Sequence, residues 1–290
     1  MILVTGAAGQ LGRLVIEYLM AHVPAQQIVA AVRHPEKVAD LAARGVVVRV
    51  ADYDKPEHWP IALQGVEKVL LISGPDVGTR VRQHQTVIEA VAASESVRLM
   101  AYTSMLRADT SKVPYASEDR ETERLIRETG VPHVFLRHGW YTENYTMSAG
   151  YAVQEGKLYG CAKNGRISGA SRTDYAEAAA SVLAAKDSVK SVYELAGNSS
   201  FTLAEVAAEI SLQSGQLVEY VDLSEQDYQT LLENYGLPNG LAKTLALADT
   251  GAANGDVYSE SKDLTQLINR PTTSLATVVD IALATEVRKE

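Results

Sequence analysis

Met1-Ile2-Leu3-Val4-Thr5-Gly6-Ala7-Ala8-Gly9-Gln10-Leu11-Gly12 opens the chain and decides its fold. The apolar run Ile2–Thr5 reads as a strand, and Leu11–Met20 has the spacing of an amphipathic helix. Between them Gly6, Gly9 and Gly12 are spaced G-x-x-G-x-x-G, one residue away from the G-x-G-x-x-G of many dinucleotide-binding proteins. Glycines there permit a tight turn and close backbone approach, and the amides that begin the helix can receive a pyrophosphate. Gln10 and Leu11, at the helix opening, belong to the same loop. The other reading of these glycines is close strand-to-helix packing alone.

Outward from this unit, strand-like runs recur at Ile28–Val32, Val46–Val50, Lys68–Ile72, Leu99–Thr103 and His133–Arg137, with helical stretches such as Gln83–Ala93 and Glu118–Thr129 between them. Strands apolar throughout and separated by helices predict a parallel sheet covered on both faces. The predicted fold class is therefore α/β, a doubly wound parallel Rossmann sheet with a smaller, mostly helical C-terminal lobe. Residues 1–137 are assigned to the dinucleotide-binding domain and 138–290 to the smaller substrate-binding lobe, with the alanine-rich helix Asp174–Ala185 returning to the sheet. In the second part Gly150, Gly156, Gly160, Gly165 and Gly169 punctuate the chain, and a strand at Val192–Leu195 precedes Thr202-Leu-Ala-Glu205, a capping box. Ser224-x-x-Asp227 is a weaker form of that signal.

The second strand ends at Arg33, 21 residues after Gly12, where a site for NADH usually carries Asp or Glu. A guanidinium can pair bidentately with a 2′-phosphate, whereas a carboxylate would repel it, so Arg33 favours NADPH. A surface arginine at a strand end is the alternative. Asp52, after the third strand, either accepts from the adenine amine or closes a polar turn. Ser73 and Gly74, after the fourth strand, suit the cofactor ribose or equally any tight turn.

The chain has 290 residues, 46% of them apolar and 22% charged, with a formal net charge of −9. That charge opposes binding to nucleic acid or to anionic membranes, and no apolar run reaches the ~18 residues that span a bilayer. With no basic leader at the N-terminus, the expectation is a cytoplasmic protein. Cys161 is the lone cysteine and the six histidines show no HxH or HExxH spacing, so neither a disulfide nor a metal site is expected. A homodimer is compatible with the sequence, which does not determine the assembly.

VTGAAGQLG at 4–12, AAVRHPEKVADLAARG at 30–45, ADYD at 51–54, LLISGP at 70–75, AYTS at 101–104 and LRHGWYTENY at 136–145 together resemble the NmrA-like, atypical short-chain dehydrogenases. Within them the likeness is chiefly to the bacterial type-2 NADPH:quinone oxidoreductases, with triphenylmethane dye reductases as near relatives, and it covers essentially the whole chain. The resemblance implies NADPH bound in an open cleft and hydride passed to a quinone or similar conjugated acceptor, without flavin or metal. It assigns Gly6, Gly9, Gln10, Leu11 and Arg33 to the cofactor motif and Ser73 and Gly74 to its ribose side. Arg137, His138, Gly139, Trp140 and Tyr141 are implied to line the nicotinamide and acceptor, with Asn144 as a polar pocket residue.

One departure bears on chemistry. Standard short-chain dehydrogenases donate a proton through a Tyr-x-x-x-Lys pair; here Tyr115 meets the spacing but Asp119 stands in place of the lysine. An anion there opposes a tyrosinate. Tyr115 is thus a loop packing residue or a ligand contact, not that acid. A quinone needs less help, because hydride addition gives an aromatic hydroquinone anion that water can protonate. What remains to be supplied is stacking against the nicotinamide and support for the oxyanion. Trp140, Tyr141 and Tyr145 offer walls for a flat acceptor, while Asn144, His138 or a tyrosine hydroxyl offers a donor; aromatic packing between lobes is the competing role. His84 is read as a satisfied helix-face histidine or a residue aimed at the cleft, and Cys161 as a small structural residue. Against catalysis stands one further function, a regulatory protein that senses NADP(H) without turning it over.

Overall fold

The structure, a computed structural model, describes residues 1–287. Five strand–helix units run in succession: β1 (Ile2–Val4) to α1 (Gln10–Met20), β2 (Ile28–Val32) to α2 (Ala39–Ala43), β3 (Val47–Val50) to α3 (Trp59–Ala62), β4 (Lys68–Leu71) to α4 (Arg80–Ala92), and β5 (Leu99–Met105) to α5 (Ala116–Glu128). After β6 (His133–His138) come α6 (Glu143–Thr146), α7 (Ala149–Glu155), β7 (Lys157–Gly160), α8 (Arg172–Ala184) and β8 (Val192–Leu195). The chain then forms α9 (Leu203–Ser214), β9 (Glu219–Asp222), α10 (Glu225–Asn234), α11 (Asn239–Ala253), α12 (Asp263–Ile268) and α13 (Leu275–Val287).

Seven strands form one sheet in the order β3-β2-β1-β4-β5-β6-β8, every neighbouring pair parallel. Because successive side chains on a strand point to opposite faces, Ile2 and Val4 enter one core layer while Leu3 enters the other. The same split separates Ile28, Ala30 and Val32 from Val29 and Ala31. With both faces covered, each strand must be apolar along its length, which is why the sequence reads as continuous hydrophobic runs. Residues of α1, α8 and α12 fill the first layer, and those of α3, α4 and α5 the second. Strand order reverses between β1 and β4, so a crevice opens beyond their carboxyl ends, the usual ligand position in such sheets.

The helix expected at 174–185 is α8, which lies along α1. Its buried Ala176, Ala178, Ala179 and Ala180 permit close approach of the two axes. Lys68 Nζ donates to the Leu183 and Ala185 carbonyls at 2.8 and 2.7 Å, satisfying acceptors left open at the end of α8. Strand β8 also pairs with β6, and α12 packs on α8 and β8. Part of the segment assigned to the second lobe thus builds the main sheet layers.

The smaller lobe has its own apolar cluster, including Tyr145, Ile167, Phe201, Leu203, Val206, Ile210 and Val279. It also contains a two-stranded parallel sheet, β7 with β9, that the sequence reading lacked. Thr202 and Ser224 are both N-caps, accepting from the backbone N–H of Glu205 and Asp227.

Candidate cofactor and acceptor site

The glycine loop is built as its spacing requires. Gly6 adopts φ +59° and accepts the Gly9 N–H at 2.9 Å, turning the chain from β1 into α1. A Cβ on Gly12 would stand 2.5 Å from the Gly6 carbonyl oxygen and 2.8 Å from Ala7 Cα, so only glycine fits. Around this loop one pocket is lined by Gly6, Gly9, Gln10, Leu11, Gly12, Arg33, Asp52, Ser73 and Gly74. These nine, scattered over the first 74 positions, are brought together at the ends of β1, β2, β3 and β4.

Each wall has a specific support. Tyr53 OH lies 2.6 Å from Thr5 Oγ1 and 3.0 Å from the Ile72 carbonyl, while Thr5 Oγ1 accepts the Ile72 N–H, so the ends of β1, β3 and β4 are tied together. Asp52 Oδ1 accepts the Asp54 N–H at 3.0 Å, and its carbonyl accepts from Trp59 Nε1. Asp52 therefore closes the polar turn while bordering the pocket. Arg33 is exposed at the pocket edge and has no ion pair among the described residues. Lys37, absent from the sequence reading, lies on the same wall, and Arg13 anchors it by donating to its carbonyl. Its position on the short helical turn Pro35–Val38 directly after Arg33 was the available signal.

The loop after β4 is held from behind. The Gly74 N–H donates to His84 Nε2 at 3.0 Å, so Nδ1 carries the ring proton and faces Thr122 Oγ1 at 3.0 Å. The Thr122 hydroxyl in turn donates to the Glu118 carbonyl. Burial pushes the His84 ring down to about 3, with Arg80 adding to the effect, so it stays neutral. His84 is satisfied on its helix and positions the loop.

The end of β6 and the segment after it divide in two. Arg137, implied to line the nicotinamide, is placed elsewhere: it is buried, donating to Glu123, Asp109 and Glu194. Three carboxylates leave that guanidinium nothing to offer a ligand. Gly139 is packed so tightly that a Cβ would meet Ser168 O and Tyr175 OH, each at 2.9 Å. Trp140 faces Tyr115, ring centroids 6.3 Å apart. None of these three borders the dinucleotide pocket.

His138, Tyr141 and Asn144 do gather. His138 stacks on Tyr175 at 4.4 Å, and Tyr141 meets both rings edge-on at 6.2 and 5.5 Å. Tyr141 packs on the same core layer as Ala8 and Ile72, which border the dinucleotide pocket. Asn144 Oδ1 accepts from Arg172 at 2.7 Å. Burial pushes His138 down to about 3 and Tyr141 up to about 12, so both are neutral over the physiological range. Such neutral donors can support an oxyanion without themselves delivering a proton.

Asp119, in the position of the missing lysine, accepts from Tyr102 OH at 2.6 Å, and burial pushes it up to about 6. The Tyr115 hydroxyl is buried without a partner among the described residues, and burial together with the Asp119 charge raises its pKa. The tyrosinate route is closed by geometry as well as by residue type.

Residues 6–186 match the model of an NAD(P)H-binding family. Quinone oxidoreductase 2 of Escherichia coli strain K12 is 50% identical over 276 residues, 95% of this chain and 96% of that protein. The crystal structure of an NADPH-dependent quinone oxidoreductase from Escherichia coli complexed with NADPH superposes with TM-score 0.94 at 49% identity, covering 98% of this chain and all of the other. Triphenylmethane reductase from Citrobacter, complexed with NADP(H), superposes with TM-score 0.93 at 36% identity, over 97% of this chain and 100% of that one.

Proposed function

The chain belongs to the NAD(P)H-binding family, and from that premise we propose that it is an NADPH-dependent oxidoreductase that reduces a quinone or a similar conjugated acceptor. What supports this reading is the glycine-loop pocket edged by Arg33 and Lys37, together with the His138–Tyr141–Asn144 cluster at and after the end of β6, whose Tyr141 packs against the core layer that also holds the pocket residues Ala8 and Ile72. Gln10, Leu11, Ser73 and Gly74 fit the dinucleotide's pyrophosphate and ribose, and Gly12, where a Cβ would strike the Gly6 and Ala7 backbone, lets the loop pack closely on the start of α1 so that the helix amides can face a phosphate. When bound, NADPH supplies the hydride.

The chain's own residues then have three tasks. Arg33 and Lys37 set the 2′-phosphate preference through charge. The loop at Ser73–Gly74, held by His84, fixes the ribose, so the reacting faces meet in one geometry. Tyr141 and Asn144 receive the acceptor's oxygen as it becomes anionic, and water completes the hydroquinone. The residues lining the acceptor side include neither a lysine nor a charged histidine as proton donor. With this reading go a cytoplasmic location, small-molecule partners and no nucleic acid, in keeping with the net charge of −9. Among the described residues no helix is long and apolar enough to cross a membrane. A homodimer is the assembly that light scattering should be asked to find.

The test is disappearance of NADPH absorbance with purified protein and a simple quinone, NADH run in parallel. Quinone-dependent consumption that favours NADPH is the expected result. Tight NADPH binding without turnover on any quinone or dye would instead favour a sensor of NADP(H); near-full-length likeness to a quinone oxidoreductase speaks against that alternative.

A further inference from the structure

Arg172 occupies an unfavourable place for a cation. It is the first residue of α8, where the helix dipole presents partial positive charge. The start of that helix is already capped by Ser171 and Asp174, so α8 does not need the guanidinium. Among the described residues, the polar side-chain partners of Arg172 are instead Glu143 and Asn144. Its guanidinium lies 4.6 Å over the Tyr141 ring, donates to Asn144 Oδ1 at 2.7 Å and stands 3.7 Å from Glu143 Oε2, while its backbone N–H donates to Glu143 Oε1 at 2.8 Å. A planar fork can stack on a ring and donate from its edge at the same time, which an ammonium cannot.

This arrangement fixes the carboxamide. With Oδ1 engaged by Arg172, the amide –NH2 is the free end of Asn144, and it has no partner among the described residues. We propose that Arg172 is a positioning residue for acceptor reduction: it holds Asn144 with its –NH2 presented to the acceptor oxygen. The inference rests on the quinone-reductase reading above. The balance is that of that reaction: hydride from NADPH brings two electrons and one hydrogen to the quinone, Asn144 donates a hydrogen bond without losing its proton, and water supplies the second hydrogen. Glu143 orients the fork from its other side.

The experiment compares kcat and KM for 1,4-benzoquinone in Arg172→Met and Arg172→Gln, each made alone and in an Asn144→Ala background, with NADPH affinity measured by fluorescence titration. Expected is a kcat loss of roughly tenfold to a hundredfold, smaller than the ~100- to 1000-fold of removing an oxyanion donor outright because Asn144 itself stays in place, with NADPH affinity unchanged. In the Asn144→Ala background the Arg172 change should cost nothing further, because the two residues act as one unit. Gln keeps a polar helix start and carries the comparison should Met fail to fold. Wild-type kcat in either variant, or a full further loss in the Asn144→Ala background, overturns the inference alone. Absence of quinone turnover by the wild-type protein overturns the reductase reading and this inference with it.

Discussion

At the scale of single residues, the proposed preference for NADPH rests on charge placement. Arg33 is exposed at the pocket edge without an ion pair among the described residues, so its guanidinium is available to a phosphate. Arg33→Ala should weaken NADPH binding by about tenfold or more, the worth of a charge-assisted pair, and leave NADH binding nearly unchanged; isothermal titration with both nucleotides checks this. Arg33 was legible because its distance from the glycines is set by one strand–helix–strand unit. Arg137 was not, since Asp109, Glu123 and Glu194 reach it from a loop, α5 and β8. Arg172 also escaped notice, sitting in an ordinary helix start whose partners lie 28 and 29 positions earlier.

Among the elements, those with strong local signals were legible and those defined by distant pairing were not. Buried parallel strands advertise themselves as apolar runs, and β2 and β8 have the bounds the sequence implied. Strands β7 and β9 are short, half polar and paired across some sixty positions, so no local period marks them. The capping box at Thr202 was visible because its two halves are three residues apart. Thr202→Ala should lower stability by about 1 kcal/mol through loss of the cap, seen as a fall in Tm, while kcat stays at the wild-type value because Thr202 lies outside the dinucleotide pocket and the His138–Tyr141–Asn144 cluster.

For the whole molecule, pH-dependent stability has a source in a buried carboxyl of the smaller lobe. Asp249, on α11, accepts the Cys161 N–H at 3.0 Å, yet burial pushes its carboxyl from 3.8 up to about 7. A carboxyl raised in the folded state binds protons that the unfolded chain has released, so stability falls as pH rises between those two values. Asp249→Asn, which keeps an acceptor for the Cys161 amide, should flatten that decline, measured as urea midpoints from pH 5 to pH 7. Division into lobes was only partly readable: the sequence suggested that α8 returns to the sheet, but not that β8 and α12 accompany it. The proposed function stands on passage of hydride from NADPH to a quinone without a flavin or metal. Anaerobic mixing of the purified protein and NADPH with quinone tests it most directly, monitored by absorbance and by product analysis. Hydroquinone formed in one-to-one proportion with NADPH consumed, with no flavin absorbance, is the predicted result; NADPH that stays bound and unoxidised would contradict it.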